Sequence, residues 1–195
     1  MNFLIITGPP AVGKMTVGQV LSQRLGYPLF HNHHSIELTL DLFAWGTPEF
    51  RAINSGIREL VFKTASASQQ LPGFIFTVVF AFDYREDIAE GQKVFDHFIA
   101  NGWKPHLVEL YAPLEKRLER NSTPNRLAHK ASKRKLELSR ENLLKMEGKY
   151  SLNSGGEEVF PGVPHLRIDN TDRTAEEVAD MIVQEFGWVV PVVEK

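Results

Sequence analysis

Apolar runs alternate along the chain with segments in which apolar positions recur every three or four residues. The runs cover residues 2–7, 28–31, 74–82, 106–111 and 165–168. Continuous apolar runs rich in β-branched residues predict strands that are buried on both faces, and the segments between them have the spacing of amphipathic helices. Strands that alternate with helices favour right-handed crossovers. The pattern therefore predicts an α/β fold of three layers, α/β/α, around a parallel sheet of about five strands.

Helix boundaries are also visible in the sequence. Thr47 followed by Pro48 is typical of an N-cap and the first residue of a long helix. Thr174 with Glu177 matches a capping box and predicts the start of the last helix. These short-range signals divide the chain into segments without reference to any distant contact.

One stretch, residues 121–131, is polar, contains a proline and has little periodicity. It predicts a mobile lid over about residues 121–133, with Ser132 as the cap of the helix that follows. Residues 151–164 are rich in Gly, Ser and Pro and predict a surface connection.

Length and composition limit the class of protein. A chain of 195 residues with 43% hydrophobic residues can bury one substantial core, so we expect a single domain over residues 1–195. The absence of cysteine excludes disulfides and thiolate metal sites, and cytoplasmic localisation is the default expectation. The apolar runs are too short for a signal peptide or a membrane span, so no membrane association is expected. The sequence leaves monomer and homodimer equally open.

The formal net charge of −2 conceals a basic segment. Residues 114–149 contain 11 of the 22 Lys and Arg residues and only five Glu. This segment has no aromatic residue on which nucleobases could stack, which argues against nucleic-acid binding. We therefore interpret the segment as facing phosphate groups.

The first apolar run leads directly into a glycine-rich stretch, Gly8-Pro9-Pro10-Ala11-Val12-Gly13-Lys14-Met15-Thr16. Two glycines five positions apart, a lysine and a helix N-terminus are typical of a phosphate-binding loop between a strand and a helix. The predicted nucleotide-binding residues are Gly8, Ala11, Val12, Gly13, Lys14, Met15 and Thr16, with Lys14 also catalytic. Met15 stands where such loops place a Ser or Thr that binds Mg²⁺, and Thr16 follows it.

A carboxylate is expected to compensate for Met15. Asp83 ends the third predicted strand, and we predict that it helps Thr16 to hold Mg²⁺ or accepts the proton of an acceptor hydroxyl. The alternative is that Asp83 only caps the helix that begins near Arg85.

Three arginines near the predicted lid could stabilise a moving phosphoryl group, because a guanidinium binds two phosphate oxygens at once. Arg126 lies within the lid and is the preferred catalytic candidate, ahead of Lys130 and Lys133. For Arg117 and Arg120 the alternative is a helical salt bridge with Glu115 or Glu119.

A histidine cluster follows the second predicted strand. Strand alternation would place His31 and His33 on one side, facing either the nucleotide or the acceptor. They could act as neutral hydrogen-bonding groups or as cations that meet an anionic acceptor; a transition-metal site lacks an evident acidic or thiol partner.

Together these motifs resemble the P-loop small-molecule kinases, which include shikimate, gluconate and nucleoside-monophosphate kinases. The segment from Leu29 to Glu37 is similar in spacing to the shikimate kinase pattern Phe-x-Asp-Ser-Asp-x-x-Ile-Glu, with His31 and His33 in place of the two aspartates. In that family the first aspartate helps to hold Mg²⁺ through water and the second binds substrate hydroxyls. The resemblance implies that His31, His33 and Glu37 face the acceptor.

The same resemblance extends to the lid and the last strand. It implies that Arg120 stacks on adenine, that Arg126 reaches the transferring phosphate, and that Asp169 and Asn170 border the adenine. We expect an ATP-dependent phosphotransferase that uses ATP and Mg²⁺ and acts on an unidentified small molecule. The alternative is an ATP-binding protein with weak or no transfer activity that acts as a sensor or regulator.

Overall fold

A computed structural model describes residues 1–191 and contains a parallel sheet of five strands. The strands are β1 (Asn2–Thr7), β2 (Leu29–His31), β3 (Gly73–Thr77), β4 (Lys104–Tyr111) and β5 (His165–Asp169), in the order β2-β3-β1-β4-β5. Strand β1 is central and pairs with β3 on one side and β4 on the other. The predicted three-layer α/β/α fold with a five-stranded sheet is confirmed.

Eight α-helices connect or follow these strands. They are α1 (Lys14–Leu25), α2 (His33–Leu40), α3 (Pro48–Ala67), α4 (Arg85–Ala100), α5 (Leu114–Arg120), α6 (Pro124–His129), α7 (Leu136–Glu147) and α8 (Ala175–Glu185) within the described part of the chain. A 3-10 turn, Ala131–Lys133, lies between α6 and α7. The predicted Thr47 cap and the Thr174–Glu177 capping box are both present.

The two faces of the sheet carry different cores. Because successive strand residues point to opposite faces, Leu4 and Ile6 pack with α1 and α8 in an aliphatic cluster. Phe3 and Ile5 point the other way and pack with α3 and α4 in a cluster dominated by phenylalanine. The carboxyl ends of β1 and β3 lie between these layers, where the glycine-rich loop begins.

One predicted strand boundary is wrong in a way that affects the site. Strand β3 ends at Thr77 rather than Phe82, because the following backbone turns across β1 and the N–H of Phe80 bonds to Thr7 Oγ1. Strand β2 ends at His31 as predicted, but α2 already begins at His33, so the predicted alternation of these two residues along one strand is wrong. Helix geometry, not strand periodicity, sets the direction of His33.

The predicted lid is also more ordered in secondary structure than expected. It contains α6 and the 3-10 turn, and Ser132 lies inside that turn rather than capping α7. The connection 151–164 is not purely a surface segment, since Phe160 and Val163 are buried in the aromatic core. Trp188 packs against Tyr27, and the rest of the tail from residue 192 lies outside the described residues. No helix within residues 1–191 has the length and apolarity needed to cross a bilayer.

Candidate functional site

The glycine-rich loop has the backbone geometry of an anion cradle. Gly8 and Gly13 have φ values of +126° and +114°, and a Cβ at Gly8 would collide with the backbone oxygen of Leu110. Ala11 also has a positive φ of 62°. A side chain at Gly8 is therefore excluded both by conformation and by the close approach of β4.

Lys14 is enclosed by this loop. Its side chain is buried, and Nζ donates hydrogen bonds to the carbonyl oxygens of Gly8 at 2.6 Å and Pro9 at 2.8 Å. Burial lowers the pKa of Lys14 well below its usual value, and the nearby cations Lys130, Arg126 and Arg117 lower it further. A bound anion would relieve this unfavourable concentration of positive charge.

A cavity of about 270 Å³ lies against the loop. Residues 11–17 form one wall, Arg126 and Lys130 of the lid form another, and Arg120 and Asn170 lie on a third side. The structure thus brings together most of the predicted nucleotide site, from Ala11 to Thr16 with Arg120, Arg126 and Asn170. We call this space the phosphate cavity.

Arg120 and Asn170 connect the loop to the end of β5. The guanidinium of Arg120 donates to the backbone oxygens of Val12 at 3.2 Å, Asn170 at 2.8 Å and Thr171 at 2.9 Å, and Asn170 Nδ2 donates to Val12 O at 2.8 Å. Asp169 is exposed, with its carboxylate accepting from Thr171, and it does not line the phosphate cavity. The role of Arg120 and Asp169 toward adenine stays a prediction.

The contacts of Arg117 hold neighbouring elements together. Its guanidinium pairs with Glu147 at 2.7 Å and donates to the backbone oxygen of Ala112 at 2.9 Å, and the residue is buried. The alternative of a helical salt bridge with Glu115 or Glu119 is not what the described chain shows, since Arg117 pairs with Glu147 and Arg120 donates to backbone oxygens. Arg117 instead joins α5 to α7 at the base of the lid.

The lid contributes buried cations whose charge is offset by few neighbouring groups. Burial lowers the pKa of Arg126 to about 10, and its buried Nε has no hydrogen-bond partner. Burial lowers the pKa of Lys130 to about 7, with Arg126 and Lys133 adding to the shift. Cations that are desolvated and placed beside one another are expected at a site that receives an anion.

The histidine cluster lies at the start of α2. His31 is buried, its ring stacks on His34 with centroids 3.6 Å apart, and burial lowers its pKa to about 3. Burial also lowers the pKa of His33 to about 4. Of the two roles considered for these residues, the neutral imidazole is the form that this environment favours near neutral pH.

Glu37 joins α2 to the lid. Its carboxylate accepts from the N–H of Ser132 at 2.8 Å, the Ser132 hydroxyl at 2.6 Å and His33 Nδ1 at 2.7 Å. Burial acts to raise the pKa of Glu37, but these hydrogen bonds outweigh it and bring the pKa to about 2. Because His33 is neutral at neutral pH, its contact is a hydrogen bond from Nδ1–H rather than an ion pair.

The predicted Mg²⁺ ligands do not form a site together. Thr16 lines the phosphate cavity, where its hydroxyl accepts a hydrogen bond from Asn125, and buried Met15 offers no oxygen. Asp83 lies six residues beyond β3, accepts the N–H of Ser151 at 2.9 Å and lines neither this cavity nor the one described next. No group of three acidic or histidine residues in the described chain could hold a metal. Of the two predicted ligands, only Thr16 lies at the phosphate cavity in the described part of the chain. Mg²⁺ keeps several waters and is bound in part by substrate phosphates, so it needs few protein ligands.

A second cavity, of about 640 Å³, opens between α3 and α4 beneath residues 78–80. Arg58 and Asp87 line it, and the sequence analysis did not single out either residue. In the sequence both look like ordinary charges on helix surfaces, and only the packing of α3 against α4 reveals that they share a cavity. We call this space the α3–α4 cavity.

The similarity of this chain to known proteins is a similarity of three-dimensional structure. No protein-family model and no curated protein matches the sequence. Shikimate kinase from Acinetobacter baumannii in complex with shikimate is 20% identical over 95% of this chain and 93% of that chain, with a TM-score of 0.57. A gluconokinase from Sinorhizobium meliloti is 16% identical over 95% and 91%, with a TM-score of 0.55. The tunicamycin resistance protein of Deinococcus radiodurans is 19% identical over 97% and 98%, with a TM-score of 0.56.

These similarities cover nearly the whole of each chain at low identity. The chain has the fold of the P-loop small-molecule kinases.

Proposed function

We propose that this protein is an ATP-dependent phosphotransferase that acts on a small molecule. One observation carries the proposal: Lys14, Arg126 and Lys130 converge on the cradle of the glycine-rich loop, and within residues 1–191 no acidic side chain lines the phosphate cavity. Such a concentration of desolvated positive charge fits a triphosphate. The kinase neighbours support the same reaction class.

In the proposed reaction the oxygen of an acceptor hydroxyl attacks the γ-phosphorus of ATP. A new P–O bond forms, the bond to the β-phosphate oxygen breaks, and its electron pair leaves with ADP. The hydroxyl proton passes to a base. Lys14 and Arg126 stabilise the charge on the transferring group, and α6 with the 3-10 turn excludes water from it.

This chain offers few ligands of its own to Mg²⁺. Mg²⁺ normally supplies charge neutralisation when it accompanies the nucleotide. Thr16 is the one predicted Mg²⁺ ligand at the phosphate cavity, so the protein neutralises the charge of the phosphates mainly with its cations. We also propose that residues 1–195 act as one domain, that Asp83 has at most an indirect role, and that the reaction takes place in the cytoplasm.

Transfer of labelled phosphate tests the proposal. Protein is incubated with γ-³²P-labelled ATP and a fractionated metabolite extract, and ATP binding is measured separately by calorimetry. Arg126→Ala is expected to bind ATP and to lose about 100-fold or more in transfer rate, because the charge on the moving group is left unpaired. Lys14→Met is expected to weaken ATP binding itself.

Arg140→Ala, an exposed change on α7, is the matched control and should leave both measurements unchanged. Wild-type protein that binds ATP but transfers phosphate to no fraction would favour the sensor or regulator. Failure to bind ATP at all would refute the proposed nucleotide site.

A further inference from the structure

We propose that the α3–α4 cavity is the acceptor site and that it takes a neutral or zwitterionic alcohol with an apolar ring or chain, rather than a polyhydroxylated acid. The inference rests on the proposed function, because it names the substrate class of that reaction. It is carried by the size, lining, charge balance and position of the cavity.

The interior of the cavity is apolar. It is lined by Ile5 of the central strand, Phe62 of α3, Phe76 of β3, Val94 of α4, and Phe80 in the segment after β3. Its volume of about 640 Å³ lies within the range of about 300–1,000 Å³ that small-molecule sites occupy. A ligand covered only in hydroxyl groups would leave many of them unpaired against these side chains, at a cost for each. An apolar ring or chain suits this interior.

The charged residues around the cavity balance one another. They are the cations Arg58, Lys63 and Lys93 and the anions Glu59, Asp87 and Glu90. Lys93 pairs with Glu90 at 2.6 Å. By contrast, every charged residue of the described chain that lines the phosphate cavity is a cation. A ligand without net charge is the complement of such a lining.

Arg58, the cation that lies deepest, already has partners. Its Nε donates to Ser35 Oγ at 3.1 Å, and its guanidinium carbon lies 5.9 Å from the ring centroid of Phe76. Burial lowers its pKa to about 10, so it stays charged at neutral pH, with Asp87 opposing the shift. Because the guanidinium already contacts Ser35 of α2 and the ring of Phe76, it does not require a carboxylate from the ligand.

The wall of the cavity is bonded to the strand that carries the phosphate loop. The N–H of Val78 donates to Ile6 O at 3.1 Å, and the N–H of Phe80 donates to Thr7 Oγ1 at 3.3 Å. Thr7 directly precedes Gly8 in the sequence. An acceptor in the cavity therefore lies beside the start of the loop that binds the phosphates.

Asp87 is the base that this arrangement offers. Its Oδ2 accepts the N–H of Ala81 at 3.0 Å, while Oδ1 has no hydrogen bond in the described chain. Burial raises the pKa of Asp87 above the usual range of an aspartate. In the proposed step Oδ1 takes the acceptor hydroxyl proton as the oxygen forms its bond to phosphorus and ADP leaves with the electron pair.

A cavity-filling substitution tests the inference. Ser55 is an exposed residue that lines the cavity from α3, so Ser55→Trp places an indole in it without disturbing the core. Thr64→Trp is the matched control: it is exposed on the same helix, nine positions further along and so on the opposite face, and does not line the cavity. Circular dichroism melting checks that both variants fold.

Binding is measured by ligand-observed NMR with 2-naphthaleneethanol, a neutral ring-bearing alcohol, and with gluconate as the polyhydroxylated acid. We expect wild-type protein to bind the alcohol in preference to gluconate, Ser55→Trp to weaken that binding about tenfold or more, and Thr64→Trp to bind as wild type. Equal binding by the two variants, or preference for gluconate, would overturn the inference.

Phosphate transfer from labelled ATP to a panel of ring-bearing alcohols is measured in parallel. Transfer that Ser55→Trp abolishes and Thr64→Trp spares supports the inference. Transfer to sugar acids that Ser55→Trp leaves intact overturns it while retaining the kinase. ATP binding with specific alcohol binding but no transfer to any panel member supports the ligand class and counts against the kinase, so the two failures are distinguishable.

Discussion

At the scale of single residues, the site is defined by buried cations. Lys14 donates to the carbonyls of its own loop, Arg126 keeps a buried Nε without a partner, and Lys130 lies beside both. Each charge is unfavourable where it is, because burial and like charges raise the free energy of the protonated forms. Their common position is what the proposed binding of a triphosphate requires.

Lys130 gives a pH dependence. Its pKa of about 7 means that the free protein loses this charge as the pH rises through 7, while a bound triphosphate favours the protonated form. ATP affinity is therefore expected to fall between about pH 7.5 and 9, by at most about tenfold per unit, with proton uptake on binding. Calorimetry in buffers of different ionisation enthalpy measures both.

Lys130→Arg is the control for this prediction, because an arginine stays charged over that pH range. It should bind ATP with an affinity that barely changes with pH and without proton uptake. The same pH profile in both proteins would show that Lys130 does not contact the nucleotide.

At the scale of elements, α2 links the lid to α3. Glu37 on α2 holds Ser132 of the 3-10 turn, while Asn32 O and Ser35 Oγ at its start accept from Arg58 of α3. A short helix thus contacts both the 3-10 turn of the lid and the helix that lines the α3–α4 cavity.

Removing Glu37 should release the lid turn. In Glu37→Ala the N–H of Ser132 loses its charged acceptor, worth about 1.5–3 kcal/mol, so its hydrogen exchange should accelerate by about tenfold or more. Exchange of the amides of residues 131–134, followed by NMR, measures this.

Glu141→Ala, an exposed acidic residue of α7, is the matched control and should leave these amides unchanged. An unchanged Ser132 amide in Glu37→Ala would mean that the contact does not hold the turn.

At the scale of the whole molecule, the two faces of the sheet have separate tasks. The aliphatic face fixes α1, and with it the phosphate loop, against α8. The aromatic face fixes α3 and α4 through stacked rings, with Phe3 and Phe98 centroids 3.7 Å apart, and leaves the α3–α4 cavity toward the loop. Phe62, Phe76 and Phe80 belong both to this aromatic core and to the lining of the cavity.

Phe98→Ala should therefore destabilise the protein by about 3–5 kcal/mol, since Phe98 is completely buried among aromatic rings. Urea denaturation followed by circular dichroism measures the free energy of unfolding. The neighbouring Ile99 is 43% exposed, and Ile99→Ala should change stability by only about 0.5 kcal/mol. Similar losses in the two variants would contradict the assignment of Phe98 to the core.

Much of the fold could be predicted because it depends on near neighbours. The apolar runs, the Thr47 cap and the Thr174–Glu177 box each involve residues a few positions apart, and α/β alternation then restricts the topology. The end of β3 was misplaced because Phe80 and Phe82 are as apolar as strand residues. The backbone there leaves the sheet: the N–H of Phe80 donates to Thr7 Oγ1, 73 positions away, and the N–H of Phe82 donates to Ser151 O.

By itself the sequence determined the alternation of strands and helices, the glycine-rich loop after β1 with Met15 following Lys14, and the basic segment that contains the lid. Only the tertiary structure decided that Glu37 binds Ser132, that Arg117 pairs with Glu147, and that the α3–α4 cavity exists. The physical reason is separation: Glu37 and Ser132 are 95 positions apart. Such a contact leaves no local pattern, because only the packing of helices on the sheet brings its two residues together.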